Sequence, residues 1–546
     1  MRLFNRIAAS ALALYIAGSS LAAQDHRPRR HSVENVPLAS KIDAIVSEPA
    51  VAHAQFGISV TALSGRQIYA LDDTRLFTPA STAKLTTTAA AFALLPVNVL
   101  RLSTEVVADG DVDAAGTLHG NIILLGSGDP TLSARQYPYQ EPAPPKSGHP
   151  GQANEEHRGE GGAAAPNPME VLDTLARLVM QSGVRTVTGD VVGDDTFFLD
   201  EPYGHAWEWN DLQWAYGAPV SALSFNDNAV QLTFSADPDN EGATVASWMP
   251  SFPYFTLDNR MSMAAPGAPA YPGIQRDPGS LLVRAWGTAP ANGLRVDLAV
   301  QDPAEFAAAA FKQALQEHGI VVDGNSTSRH QYPLGTGNFA AERGLPVTFH
   351  PVNLRIITGE GQWRRVLATH TSPLLVDDIT VINKTSQNLH AELLLRLLGK
   401  LEGTAGSFEE GARVVRQFMV NAGVVDDEFF LYDGSGMSAD DRIAPRALTT
   451  LLTYAARQHW GEEWRATLPV GGMDGTLANR FRNTPVAGHL WAKTGTLSES
   501  TGLAGYLTAA SGQRVAFAIL VNGRRPGNEA EMHAIDRIVE AISAAE

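Results

Sequence analysis

The 546-residue chain predicts an α+β fold, an antiparallel sheet flanked by helices and interrupted by two inserted, partly β-rich domains. Three observations carry that expectation. Sheet signatures stand near both ends: Phe56 to Val60 and Gln67 to Ala70 read as a hairpin around Ser64-Gly65, and Arg514 to Val521 as a strand after the turn Ser511-Gly512. Helical stripes stand beside them, with Leu389, Leu393, Leu394, Leu397 and Leu398 on one face, and Ile535, Ile538, Val539 and Ile542 on another. The third observation is the spacing of three short motifs.

The first motif is Ser81-Thr82-Ala83-Lys84, an S-x-x-K. Pro79 pre-sets a helix entry, and the alanine-rich run through Phe92 continues it without a breaker before Pro96. Ser81 and Lys84 are then one turn apart on one helix face, so the amine can reach the hydroxyl. An unassisted serine is a poor nucleophile and needs such a base, and a helix N-terminus favours developing negative charge. The second motif, Ser386-Gln387-Asn388, sits on a turn entering a helix, where Ser386 or Asn388 can cap. The third, Lys493-Thr494-Gly495, precedes Thr496 on a predicted strand beside a hairpin. Lysine and threonine there suit a carboxylate, and Gly495 leaves room for a substrate backbone. Two look-alikes fail on context. Ser224-Phe225-Asn226 opens no helix, and Lys146-Ser147-Gly148 lies in a proline- and glycine-rich tract.

In this order, the motifs resemble the signature of penicillin-binding proteins and serine β-lactamases. Further stretches narrow the likeness: Gly126 to Leu132, Gly189 to Asp195, Tyr216 to Pro219, Asp433 to Ser438 and Asp474 to Leu477. They resemble the D-alanyl-D-alanine carboxypeptidase/endopeptidases, class C low-molecular-mass penicillin-binding proteins. Gln387 departs from the aspartate that many relatives carry at the middle of the second motif. The resemblance implies a transpeptidase-like catalytic domain acting on peptidoglycan stem peptides and acylated covalently by β-lactam antibiotics. Ser81 would be the nucleophile and neutral Lys84 the base, with Ser386 relaying a proton and Asn388 positioning Lys84. Lys493 and Thr494 would engage the substrate carboxylate, beside Gly495, and the Thr496 N–H would join that of Ser81 in an oxyanion hole. Asp194, from an inserted domain, is the candidate reader of a stem-peptide ammonium. A β-lactamase of the same fold and a non-hydrolytic cell-wall scaffold are the competing functions.

Roughly three hundred residues separate Ser81 from Ser386, and about a third of that separates Ser386 from Lys493. The long gap must hold inserted domains. The expected organisation is a signal peptide at 1–23, a first catalytic segment at 24–106 and inserted domain II at 107–217. Inserted domain III follows at 218–343, a return segment of domain II at 344–365 and a second catalytic segment at 366–546. Within domain II, residues 137–168 are rich in Pro and Gly and poor in large apolar residues, and read as a disordered insertion.

Hydrophobic residues at 44% and charged residues at 18% describe a globular protein. A net charge of −17 argues against nucleic acid and anionic lipid. Absence of cysteine removes disulfides, thiol nucleophiles and Cys-type zinc sites. The 15 histidines are scattered, and neither a metal site nor a cofactor is expected. Trp207, Trp209, Trp214 and Tyr216 read as packing residues. Arg2, Arg6, the apolar run Ile7 to Gly18 and the small residues to Ala23 read as an export leader. The mature protein is expected to be periplasmic, soluble or peripherally attached, with no transmembrane segment. Its oligomeric state is not legible.

Overall fold

The computed structural model describes residues 36–141, 167–335, 338–354 and 365–545. The expected leader, 1–23, and residues 142–166 of the tract 137–168 lie outside them. At the heart of the catalytic region is a five-stranded antiparallel sheet in the order Leu490–Thr496, Ser500–Thr508, Arg514–Asn522, Gln55–Ala62, Gln67–Leu71. Alternation along one central strand shows why both faces are covered. Val515, Phe517, Ile519 and Val521 face the terminal helices Val36–Val46 and Ala530–Ala545, meeting Leu38, Ile42, Ile535, Ile538, Val539 and Ile542. Ala516, Ala518 and Leu520 face the opposite way, into a larger core with Phe77, Leu85, Leu394, Leu448 and Leu452. Small alanines there let helices such as Pro445–Ala455 approach closely.

The helical region between the later motifs forms as expected. Leu375–Thr385 and Asn388–Glu402 are joined at Ser386 and Gln387, and the stripe Leu389 to Leu398 is buried.

The inserted region is built on a seven-stranded mixed sheet. Ser103–Val112 and Thr117–Leu125 form its central hairpin, with Arg365–Thr371 antiparallel to the first strand and Val191–Asp194 parallel to the second. Helices Glu170–Gln181 and Pro303–Glu317 complete its core. Two short strands, Thr186–Val187 and Val191–Asp194, follow the first of these helices. They are split where the backbone of Gly189 lies against Asn121 and Gly120. Two three-stranded sheets, together spanning residues 229–299, share a smaller core.

Two sequence-based boundaries fall inside strands. Residues 106/107 and 365/366 would cut Ser103–Val112 and Arg365–Thr371, which pair with each other. Just outside them the chain crosses side by side: Ser372 N–H donates to Leu102 O at 2.9 Å, and Leu102 N–H to Ser372 Oγ at 2.9 Å. We propose these crossings as the boundaries of the inserted region. Residues 303–317, inside the span 218–343 read as domain III, form the helix Pro303–Glu317, which packs in the core of the seven-stranded sheet. Among the described residues no helix is long and apolar enough to cross a membrane.

Candidate active site

Ser81 does not lie on the α-helix itself. It occupies a 3₁₀ turn, Ala80–Ala83, that runs into the α-helix Lys84–Leu94. In a 3₁₀ turn residues i and i+3 eclipse, which brings Lys84 directly over Ser81. Ala80 starts the turn in the left-handed region (φ 47°), where a non-glycine residue is strained. The turn is clamped from outside: a Cβ on Gly436 would lie 1.9 Å from Ala80 O, and one on Gly495 would lie 2.7 Å from Pro79 O and 3.1 Å from Ser81 N. Gly495 therefore makes room for the Ser81 turn.

Lys84 is fully buried, and its amine converges on three oxygens. Nζ lies 2.8 Å from Ser81 Oγ, 2.5 Å from Asn388 Oδ1 and 2.8 Å from Ser435 O. The Asn388 amide donates Nδ2–H to Tyr216 O at 3.0 Å, which turns its oxygen toward the lysine. Ser435 is presented by a loop gripped from two sides. Glu392, one turn after Asn388, accepts the N–H groups of Gly434 and Ser435 at 2.9 Å each. Asp433 accepts those of Gly436 and Ser438 at 2.7 Å each, and the Trp207 indole N–H at 2.9 Å. Burial pushes the Glu392 carboxyl up, and nearby Asp433 pushes it further, against the pull of Arg396.

The second half of the site is Lys493, also fully buried. Its Nζ donates to Ser386 Oγ at 2.8 Å and to Thr494 O at 2.9 Å. Ser386 can face it because, as the C-cap of Leu375–Thr385, it leaves the N-cap of the next helix to its neighbour. It sits in the left-handed region (φ 64°), and Gln387 caps the following helix by accepting the Leu389 N–H at 3.1 Å. Thr494 Oγ1 donates to Thr476 Oγ1 at 2.9 Å. Ser81 and Thr494 are partly exposed and Thr496 exposed, whereas Lys84, Asn388, Ser386 and Lys493 are buried. Nucleophile and strand edge thus face the solvent above a dry floor of amines and amides.

The structure therefore brings Ser81, Lys84, Asn388, Ser386, Lys493, Thr494 and Gly495 into one cluster, with Thr496 next along the strand. It does not bring Asp194 there. That carboxylate accepts from Thr196 N–H and Oγ1 at 3.1 and 2.6 Å and pairs with Arg329 at 3.1 Å. It is a turn aspartate already carrying a cation. The look-alike Ser224 is buried and donates to Ser221 O, and Lys146 to Gly148 lie outside the described residues. Trp207 and Trp214 pack against cores as expected, while Trp209 is exposed. No group of His, Cys, Asp and Glu among the described residues could hold a metal ion.

Sequence reasoning missed the Ser435 carbonyl, Glu392 and the Tyr216 carbonyl. The stretch Asp433 to Ser438 was a visible signal, but backbone acceptors leave no mark in side-chain patterns. It also misread the start of the tract 137–168. Tyr137 OH donates to Asp378 Oδ1 at 3.3 Å, Tyr139 OH to Glu141 Oε2 at 2.6 Å, and the Gly475 N–H to Glu141 Oε2 at 2.7 Å. Gly475 precedes Thr476, the partner of Thr494, so residues 137–141 brace the rim of the site. Deleting 142–166 behind a short Gly/Ser linker is expected to leave the acylation rate within a few-fold of the full chain. Extending the deletion back to residue 137 is expected to slow it further. Equal rates of labelling by fluorescent penicillin in the two deletions would show that the brace contributes nothing.

Known proteins share this fold. The model of the D-Ala-D-Ala carboxypeptidase 3 (S13) family matches residues 38–347 and 353–545. The chain belongs to this family. A D-alanyl-D-alanine carboxypeptidase of Actinomadura sp. (strain R39) is 31% identical over 500 residues, 89% of this chain and 81% of that one. D-alanyl-D-alanine carboxypeptidase DacB of Haemophilus influenzae is 25% identical over 455 residues, 82% of this chain and 81% of that one. The crystal structure of penicillin binding protein 4 (dacB) from H. influenzae superposes with a TM-score of 0.69 at 21% identity, covering 92% of this chain and 98% of the other. A second structure of that protein, in complex with a β-lactam, superposes with a TM-score of 0.65 at 20% identity. The S13 fold is thus an α+β penicillin-binding-protein fold with additional domains.

Proposed function

We propose that this S13 protein is a serine D-Ala-D-Ala carboxypeptidase that also cleaves D,D-cross-links between peptidoglycan stem peptides, through an acyl-enzyme on Ser81. β-Lactams would acylate the same hydroxyl. The observation that carries the reading is the contact set of Lys84. Two of its partners, Asn388 Oδ1 and Ser435 O, can only accept, and the third is the Ser81 hydroxyl. In its neutral form the amine can give two N–H donors to the carbonyl oxygens and turn its lone pair to the Ser81 proton.

The steps follow from that arrangement. Ser81 Oγ passes its proton to Lys84 Nζ while bonding to the carbonyl carbon between two D-alanines. The oxyanion forms between the N–H of Ser81 and that of Thr496, on the strand that Gly495 seats against the turn. The carbon–nitrogen bond then breaks, and the leaving amine takes, through Ser386, the proton that Lys84 had accepted, which leaves Lys84 neutral again; the Ser386 hydroxyl is held by Lys493. The Lys493 charge and the Thr494 hydroxyl hold the terminal carboxylate. Water gives a proton to Lys84 as it attacks the ester, and Lys84 returns that proton to Ser81 Oγ as the shortened peptide leaves. A β-lactam leaving group stays tethered, so the acyl-enzyme would accumulate. Recognition of a substrate ammonium by Asp194 forms no part of this mechanism, because Arg329 occupies that carboxylate. Action on peptidoglycan would require export, for which the predicted leader at 1–23 is the support.

Digestion of purified sacculi followed by mass analysis of muropeptides tests the substrate. Loss of terminal D-alanine together with conversion of D,D-linked dimers to monomers is expected. Trimming without any loss of dimers would remove the endopeptidase half, and unchanged muropeptides beside rapid turnover of a chromogenic cephalosporin would make the protein a β-lactamase.

A further inference from the structure

The turn carrying Ser386 and Asn388 is held by a group from far away in the chain. Asn226, Asp227 and Asn228 are three consecutive residues in the left-handed region (φ 51°, 53° and 54°), which asparagine and aspartate tolerate better than other non-glycine residues. They deliver the Asp227 carboxylate onto the second motif. Oδ2 accepts from Gln387 Nε2 at 3.2 Å and from Arg135 through Nε at 2.7 Å and Nη2, while Oδ1 meets His390 Nε2 at 3.2 Å. His390 is fully buried, and its other nitrogen meets Asp378 Oδ1 at 2.7 Å. Asp378 and His390 lie on the two helices that flank the Ser386-Gln387 joint. One imidazole therefore ties both helices to Asp227, and the inserted region closes the clamp with Arg135, Tyr137 and Asp227.

We propose that Asp227 is a positioning residue for the reaction, holding Gln387 and His390 so that Ser386 faces Lys493 and Asn388 faces Lys84. The proposal rests on the acyl-enzyme reading above. It makes the chemistry depend on the docking of the inserted region. It also gives a reason for Gln387: a carboxylate in its place would oppose Asp227, whereas the amide donates to Asp227 and still caps the helix with its oxygen.

Electrostatics agree with this geometry. Burial opposes the charge on His390, but Asp378 and Asp227 outweigh it and hold the imidazole up at about 9. Burial likewise opposes ionisation of Asp227, yet Arg135 and His390 hold its carboxyl well below the usual range. Both groups therefore stay charged between pH 5 and 8.

The test is a four-member cycle of the wild type, Asp227→Asn, Gln387→Glu and the double variant, read by the rate of acylation with fluorescent penicillin. Each single change is expected to slow acylation at pH 7.5 about 10- to 100-fold, the scale of a misplaced catalytic group. The double variant is expected to recover most of that loss, because the carboxylate introduced at position 387 restores the negative charge beside Arg135 and His390 and no longer meets a second carboxylate at position 227. Gln387→Glu alone is also expected to approach the wild-type rate as pH falls from 8 to 5, since the introduced carboxyl, once protonated, donates as the glutamine amide does. The titratable and charged groups facing that position are Asp227, Arg135 and His390, with Asp378, Tyr137 and Asp129 behind them and Lys84 and Lys493 beyond Asn388 and Ser386. The pH ratio stands even if Asp227→Asn does not fold. Wild-type rates in both single variants would overturn the proposal, as would a Gln387→Glu to wild-type ratio that stays flat with pH, or losses that multiply in the double. A wild type that penicillin does not acylate at all would instead overturn the acyl-enzyme reading.

Discussion

Ser81→Ala is expected to abolish release of D-alanine from a D-Ala-D-Ala peptide while leaving the fold intact. The hydroxyl is neither a helix cap nor a core group: no side chain caps the 3₁₀ turn, and Ser81 is partly exposed. Its removal takes one partner from Lys84 and leaves Asn388 Oδ1 and Ser435 O in place. Stability should change by only about 1 kcal/mol, the usual net worth of one hydrogen bond. Release of D-alanine from the peptide and thermal melting by circular dichroism check both halves. Retained release would move the nucleophile elsewhere, and a collapsed melt would make the serine structural.

Lys84→Met should behave differently, because lysine serves both chemistry and architecture. Acylation is expected to fall about 10²- to 10⁴-fold, the range for loss of a general base. The variant should also be less stable than Ser81→Ala. Methionine fills the space but strands two buried carbonyl oxygens, each at a cost of about 1–3 kcal/mol. Labelling rate and melting temperature, measured side by side, separate the two roles. A fast but unstable Lys84→Met would leave the lysine a strut and give the base role to another group.

How much of this was legible follows from which interactions are local. S-x-x-K announced itself because four adjacent residues carry both the nucleophile and its base. The sheet and terminal helices were legible because alternation and helical stripes are local patterns, as with Ile535 to Ile542. The second and third motifs were legible through order and context. Three kinds of feature were hidden. Backbone acceptors such as Ser435 O and Tyr216 O depend on loops folding in from elsewhere. Pairing of Ser103–Val112 with Arg365–Thr371 is non-local, so its strands were cut by composition-based boundaries. Gln387 looked like a bystander because its partner, Asp227, lies 160 residues away. The partner of Asp194 was hidden for the same reason, since sequence shows an aspartate but not the Arg329 that pairs with it.

The central claim is that acyl transfer runs through Ser81. Wild-type protein mixed with excess benzylpenicillin, digested with trypsin and mapped by mass spectrometry tests it most directly. The account predicts one adduct per chain, confined to the peptide Leu76 to Lys84 and attached to Ser81. An adduct on Ser386 or another residue, or no adduct at all, would contradict it.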